Sequence, residues 1–87
     1  MHERQGLRRG QVVITVSLRC LGVSAFHQPD PPVLELPDRA TVEDAIARLG
    51  LPGGLETVRL VNGSPAVPDA VLSQGDVLTL VPIVEGG

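Results

Sequence analysis

The sequence predicts an α+β domain, a mixed four- to five-stranded sheet with one main helix packed on one face. Three observations support this prediction. Residues 11–21 alternate between apolar and polar side chains, residues 41–49 have the apolar spacing of a helix, and the other apolar runs are short and end at turn residues. At least twelve valines and a single aromatic residue among 87 residues indicate a β-rich, aliphatic core. A single domain of this size has a thin core, which weighs against an enclosed substrate pocket.

The first half of the sheet is predicted from two strands. Residues 11–21 form the first, and its buried phase comprises Val12, Ile14, Val16, Leu18 and Cys20. Residues 22–32 are rich in Gly, Ser and Pro, which predicts a turn or mobile loop. Residues 33–36 form a short second strand, which Pro37 and Asp38 end.

Residues 41–49 predict the helix. Thr41 is a good N-cap, and Glu43 and Asp44 follow in the first turn, where the helix dipole favours negative charge. Gly50 suits the left-handed residue that ends a helix, and Pro52 prevents its continuation. One apolar stripe faces the core and consists of Val42, Ala45, Ile46 and Leu49.

The second half consists of short strands and turns. Gly53-Gly54 predicts a turn, residues 58–61 a strand, Asn62-Gly63 a hairpin turn and residues 64–67 a short fourth strand. Residues 69–72 suggest a single helical turn and residues 73–76 a tight turn, before a last strand over residues 77–81. A single helix covers one face of such a sheet and leaves the other open to solvent or a partner.

Charge is unevenly distributed along the chain. Residues 1–10 contain three Arg and one Glu, whereas residues 11–87 contain four Arg and nine acids. The basic decapeptide has little apolar content and is expected to be a disordered tail. The acidic remainder is a poor candidate for nucleic-acid binding and is expected to be attracted to a basic partner surface.

Cys20 is the only cysteine, so an internal disulfide is impossible and a reducing, cytoplasmic setting is expected. No apolar run reaches the length of a membrane span. His27, with only scattered acids nearby, predicts a solvated loop residue and no metal site. Cys20 continues the buried phase of the first strand, so it is interpreted as a core residue and not as a sulfur acceptor.

Three segments resemble one family. Residues 60–63 (Leu-Val-Asn-Gly) resemble the strand and turn of MoaD and ThiS proteins, Gly75-Asp76 precedes an apolar strand, and residues 80–87 (Leu-Val-Pro-Ile-Val-Glu-Gly-Gly) resemble their C-terminus. Together they resemble the MoaD/ThiS family of ubiquitin-like sulfur-carrier proteins over residues 11–87. The resemblance implies a β-grasp domain over residues 11–81 and a flexible functional tail over residues 82–87.

The resemblance implies that the chain acts through its own C-terminus and is a carrier, not an enzyme. A MoeB- or ThiF-like enzyme of the ubiquitin-activating type would use ATP-Mg to adenylate the Gly87 carboxylate. Sulfur would then displace AMP and leave a thiocarboxylate, and the carrier itself would bind no cofactor. The acceptor would be a molybdopterin precursor with a MoaE-like large synthase subunit, or the thiamine thiazole with a ThiG-like synthase. Pro82 slightly favours the molybdopterin branch.

Two groups of residues are expected to contact these partners. Gly86 lacks a Cβ and would let the tail thread a narrow channel, and Pro82 would stop strand pairing and aim the tail away from the domain. The remaining tail residues are Ile83, Val84 and Glu85, the last standing where both families commonly have Ala. The second group is an exposed apolar sheet face, or equally ordinary strand filler, comprising Arg59, Val61, Val77, Thr79 and Val81.

Three other functions compete with the sulfur carrier. The first is a protein modifier whose tail forms isopeptide bonds with other proteins; because the chain has no Lys, it could not be joined to a side-chain amine of another copy of itself. The second is a β-grasp interaction module in which the terminal Gly-Gly pair is accidental. A self-contained enzyme is the least favoured function, because the two histidines, in the N-terminal tail and in the Pro-rich loop, do not suggest a Ser-His-Asp or Cys-His catalytic group.

Overall fold

The computed structural model describes residues 12–51 and 56–83. Its five strands form one sheet in the order β2-β1-β5-β3-β4, with β5 parallel to β1 and antiparallel to β3. This is the predicted α+β, β-grasp architecture. The elements in chain order are β1 (Val13–Cys20), a 3₁₀ helix (Gly22–His27), β2 (Val33–Pro37), α1 (Val42–Leu49), β3 (Thr57–Val61), β4 (Ser64–Pro65) and β5 (Val77–Pro82).

The core lies between α1 and one face of the sheet. The period-two pattern of β1 correctly predicts four of its inward residues, but Val12 precedes the strand and is 62% exposed. Because β5 is the central strand, Leu78 and Leu80 are fully buried. The other buried apolar residues are Ile14, Val16, Leu18, Cys20, Leu36, Ala40, Val42, Ala45 and Leu72.

Local chemistry fixes both ends of α1. The backbone N–H of Asp44 donates to Thr41 Oγ1 over 3.1 Å, and the backbone N–H of Thr41 donates to Asp44 Oδ2 over 2.9 Å. This reciprocal capping box satisfies N–H groups that have no partner within the helix. At the other end, Gly50 has a φ of 66°, the left-handed conformation predicted for it. Among the described residues, no helix is long and apolar enough to cross a membrane.

The prediction of a turn or mobile loop over residues 22–32 missed a 3₁₀ helix in its first half. Residues 22–27 form a 3₁₀ helix, with i to i+3 hydrogen bonds from the Ser24 N–H to the Leu21 carbonyl and from the Gln28 N–H to the Ala25 carbonyl, each 3.1 Å. The Gln28 side chain also accepts a hydrogen bond from the Cys20 N–H. So short a 3₁₀ helix needs no hydrophobic repeat, so the periodicity of the sequence does not reveal it.

The expected helical turn at residues 69–72 is also wrong. Val71 instead forms an antiparallel bridge with Thr41, and the Leu72 N–H donates to the Ala40 carbonyl over 2.8 Å. This extended segment runs alongside the start of α1 and inserts Leu72, which is 2% exposed, into the core. A contact with the distant β2–α1 connection therefore determines its conformation.

Candidate functional site: the base of the tail and the open sheet face

The end of β5 is the place from which the predicted functional tail leaves the sheet. Pro82 lies opposite Thr57 of β3, and the Ile83 N–H donates to the Glu56 carbonyl over 2.9 Å. The expectation that Pro82 stops strand pairing is therefore wrong. Because Ile83 and Glu56 form the hydrogen-bonded pair, Thr57 and Pro82 form a non-hydrogen-bonded pair, where the missing proline N–H costs this ladder nothing.

This anchoring shortens the free reach of the tail. The four residues that follow Ile83 span at most about 14 Å when extended, compared with about 20 Å for a tail that begins at Pro82. The Ile83 side chain is 48% exposed. Four predicted site residues lie outside the described part of the chain, and their roles remain predictions: Val84, Glu85, Gly86 and Gly87.

A hydrogen-bonded cluster connects the two turns that carry the family resemblance, and so fixes the start of β5. Asn62 Nδ2 donates to Asp76 Oδ1, and Asn62 Oδ1 accepts from the Val77 N–H, both over 2.9 Å. The Asp76 carboxylate also accepts from the Ser73 N–H over 2.8 Å. Asn62 adopts a positive φ of 52°, which asparagine tolerates better than most residues. The structure thus gives Asn62 and Asp76 a structural role, as expected for Asp76.

The sheet face turned away from α1 is the candidate docking surface. Strand register defines it, because residues paired directly across neighbouring strands point to the same face. Ser17 pairs with Val77, Arg19 with Thr79, and Leu60 also with Thr79. We call this surface the open face, and on its three central strands it comprises Thr15, Ser17, Arg19, Val58, Leu60, Val77, Thr79 and Val81.

The prediction that Arg59 and Val61 belong to the open face is wrong. Arg59 pairs with Leu80 and Val61 with Leu78, so both lie on the face of the sheet that carries the core, and Val61 packs against that core. The Nε atom of Arg59 is buried and has no hydrogen-bond partner within residues 12–51 and 56–83. Val58 and Leu60 take their places on the open face.

The three open-face residues predicted on β5 are found there, with different exposures. Thr79 is only 8% exposed because it lies between the strands that carry Arg19 and Leu60, whereas Val77 and Val81 are half-buried. Val58 is 42% exposed at the β3 side of the same face. The accessible apolar surface is therefore centred on β3 and the ends of β5.

The buried thiol of Cys20 and a surface groove are the other candidate features that the structure describes, and neither lies on the open face. Burial raises the pKa of the Cys20 thiol, which disfavours the nucleophilic thiolate and supports its interpretation as a core residue. Within the described residues, no group of three His, Cys, Asp or Glu side chains could hold a metal ion. A surface groove of about 470 Å³ between the end of β2 and α1 contains none of the predicted site residues.

Two parts of the site were missed by sequence reasoning. Val58 and Leu60 were missed because both alternating sets of this strand contain an apolar residue, so hydrophobicity alone does not show which set is buried. The charge of Arg59 favoured placing the set of Arg59 and Val61 on the exposed face, which is the wrong assignment. The segment around Gly22, which contacts Pro82, was missed because it looked like an ordinary loop. Only the pairing of β3 with β5 and the path of the chain after β1 could have shown these features.

Comparisons with known proteins agree with this geometry. The model of the ThiS family matches residues 28–87, which include β5 and the terminal glycines. The crystal structure of SAMP1 from Haloferax volcanii is similar in fold, with a TM-score of 0.60 and 23% sequence identity over 84% of this chain and 99% of that chain. No curated protein matches the sequence. The chain, a small α+β domain of the β-grasp type, belongs to the ThiS family.

Proposed function

We propose that the chain is a sulfur-carrier protein whose reactive group is the carboxylate of Gly87. The observation that carries this proposal is the family match, which extends to Gly87 and so includes the terminal Gly-Gly pair. The fold supports it, because the central strand β5 runs directly into that tail and hydrogen bonds on both sides hold its base.

The proposed chemistry has two steps, both catalysed by an adenylating enzyme of the ubiquitin-activating type, the usual kind of partner for this family. A carboxylate oxygen of Gly87 attacks the α-phosphorus of ATP, and pyrophosphate leaves to give an acyl adenylate. A sulfide equivalent then attacks the acyl carbon, the bond to AMP breaks, and a thiocarboxylate remains. The activation is needed because a free carboxylate is a poor electrophile.

The open face is the proposed docking surface for this enzyme. Its accessible apolar side chains are the exposed Val58 and the half-buried Leu60, Val77 and Val81. These would be buried on binding, while Arg19 adds a polar contact among them. Residues 11–87 have a net charge of −5, from four Arg against nine acids, which favours a partner surface of positive charge.

For the sulfur acceptor, we favour the molybdopterin precursor over the thiamine thiazole. Pro82 supports this choice, because a proline at the end of the last strand resembles the MoaD branch more than the ThiS branch. A MoaE-like synthase subunit would then be the second partner. The single, buried Cys20 supports a reducing, cytoplasmic setting.

ATP–pyrophosphate exchange tests the first step. A MoeB- or ThiF-like enzyme should exchange pyrophosphate into ATP only when the chain is added, since the adenylate forms on Gly87. The matched control is Gly86→Arg, which should abolish exchange without changing the far-UV circular dichroism spectrum, because an arginine side chain would block a narrow channel. Exchange that continues unchanged with Gly86→Arg would contradict the proposal that the tail threads the enzyme.

A second experiment distinguishes between the two sulfur acceptors and between a sulfur carrier and a protein modifier. Thiocarboxylated chain is offered to the MoaE-like subunit with a molybdopterin precursor and, separately, to the ThiG-like synthase with its substrate. We expect sulfur transfer in the first reaction. Transfer only in the second would reverse the choice of acceptor, and host-lysate conjugates that disappear when Gly87 is deleted would favour a protein modifier.

A further inference from the structure

A close contact forms where the end of β1 meets the end of β5. The Leu21 N–H donates to the Leu80 carbonyl over 3.0 Å, and the chain then turns at Gly22, whose φ is +57°. A Cβ atom built on Gly22 would lie 3.1 Å from Pro82 Cγ and 3.6 Å from Pro82 Cδ. The Gly22 backbone therefore packs against the proline ring at the base of the tail.

This contact is specific to Gly22 among the glycines of positive φ that the structure describes. At the other three, Gly50, Gly63 and Gly75, an added Cβ would meet nothing within 4 Å. Those positions need a residue that tolerates a positive φ, whereas Gly22 must also leave room for Pro82. Glycine is therefore required at position 22 for steric reasons as well as for its positive φ, whereas at the other three positions only the positive φ favours it.

The segment that carries Gly22 is itself held in place, so it cannot easily yield to Pro82. Ser24 is fully buried, and its Oγ donates to the Leu21 carbonyl and lies 3.5 Å from the Leu80 carbonyl. The Cys20 N–H donates to Gln28 Oε1 over 2.8 Å, which ties the end of the 3₁₀ helix back to β1. A side chain at position 22 would therefore displace Pro82 and not the 3₁₀ helix, because Pro82 is the last residue of β5.

We infer that Gly22 is a positioning residue for the C-terminal tail, an inference that rests on the proposed sulfur-carrier function. Its bare backbone seats Pro82 between the 3₁₀ helix and Thr57 of β3, and so determines where the tail leaves the sheet. Gly22 acts through Pro82 and Ile83 and not on the reacting carboxylate. The tail must enter the activating enzyme from a defined point, and misplacement by a fraction of an ångström to 1 Å can cost up to about 100-fold in rate.

The test compares Gly22→Ala with Gly50→Ala. Both substitutions place alanine at a left-handed φ, of 57° and 66°, and so carry a similar strain of about 1–2 kcal/mol. Only Gly22→Ala adds a contact with Pro82. Because Gly50 ends α1 on the helix side of the molecule, its variant measures the effect of strain alone.

Two readouts are measured on these variants. The first is hydrogen exchange of the Ile83 amide, which donates to Glu56 and needs no enzyme. The second is ATP–pyrophosphate exchange, with kcat and KM determined separately. We expect Gly22→Ala to speed Ile83 exchange and to lower kcat, each about tenfold relative to Gly50→Ala, with KM within about twofold because the open face is unchanged.

Replacing Pro82 by alanine removes the proline ring and should reverse the steric effect of Gly22→Ala. Pro82→Ala deletes the atoms that the new methyl group would meet, so Gly22→Ala/Pro82→Ala should match Gly50→Ala/Pro82→Ala, which carries a similar left-handed strain, in both readouts. If Gly22→Ala does not fold, recovery of the fold by the added Pro82→Ala change would support the same steric account. Failure of that double variant to recover either fold or kcat would overturn it.

Equal Ile83 exchange and equal kcat for Gly22→Ala and Gly50→Ala would also overturn the inference, because Gly22 would then serve only the backbone conformation. Failure of the proposed function looks different. In that case the unaltered chain would not stimulate pyrophosphate exchange at all, and Ile83 hydrogen exchange alone would decide whether Gly22 positions the base of the tail.

Discussion

The connection between Asn62 and Asp76 predicts a measurable energetic coupling between two turns that are distant in sequence. Asp76→Ala removes an acceptor from the Asn62 side chain at 2.9 Å and from the Ser73 N–H at 2.8 Å. A hydrogen bond to a charged group contributes about 1.5–3 kcal/mol when well protected, and these are exposed, so we expect a total loss of about 2 kcal/mol. For a domain of this size the melting temperature should fall by roughly 8–16 °C.

A double-mutant cycle isolates the pair. Asn62→Gly removes the amide without straining the positive φ at this position, and it should cost about 1–2 kcal/mol through the hydrogen bonds to Asp76 and to the Val77 N–H. The double variant should be less destabilised than the sum of the single variants by about 1 kcal/mol.

The assay is urea unfolding followed by far-UV circular dichroism, because the chain has no Trp or Tyr to report by fluorescence. Asp76→Asn is a useful intermediate, since it keeps one oxygen acceptor and loses the charge. Additivity of the two substitutions within about 0.3 kcal/mol would refute the proposed connection.

Three further predictions test other parts of the structure. Val58→Asp on the open face should weaken binding of the activating enzyme about tenfold (~1.4 kcal/mol), measured by titration calorimetry, whereas Val71→Asp, 60% exposed beside the start of α1, should leave it unchanged. Thr41→Ala should cost about 1 kcal/mol by removing the helix cap, seen as a melting temperature about 4–8 °C lower, and an unchanged value would argue against the cap. Because burial raises the pKa of Cys20 in the fold, the unfolded thiol ionises first, so this thiol should leave the unfolding free energy unchanged below the ordinary thiol value of 9.0 and lower it above that value. The chain has no Lys or Tyr to titrate there, so Cys20→Ala should flatten this alkaline limb, and a limb that persists would refute the assignment.

Local signals in the sequence were sufficient for the features that depend on neighbouring residues. Thr41 and Gly50 were recognised as helix caps because capping is decided within a few residues of the helix end. The alternation of β1 identified its buried face for the same reason. The Asn62-Gly63 turn was predicted correctly, but its side-chain connection to Asp76 was not, because those residues are separated by fourteen positions.

The sequence could not determine the features that depend on long-range pairing. The faces of Arg59 and Val61 were wrong because they follow from the register of β3 against β5. The charge of Arg59 suggested an exposed position, whereas its register places it on the core face of the sheet, with its Nε atom buried. The pairing of Pro82 was missed because the effect of a proline in a strand depends on whether its pair is a hydrogen-bonded one.

The function was predicted from the end of the chain, and the structure changes the physical account of how that end is presented. The tail is held by Ile83 and by the contact between Gly22 and Pro82, so its base is a defined part of the sheet. The candidate docking surface also shifts, from Arg59 and Val61 to the neighbouring Val58 and Leu60.

The most direct test of the sulfur-carrier proposal is the intact mass of the chain after incubation with ATP-Mg, a MoeB- or ThiF-like enzyme and a sulfide source. The account predicts replacement of one oxygen by one sulfur, located at Gly87 by fragmentation and absent when ATP is omitted. The Gly86→Arg variant should keep its original mass under the same conditions. An unchanged mass for the unaltered chain with every cognate activating enzyme, or sulfur found at Cys20 and not at Gly87, would contradict the account.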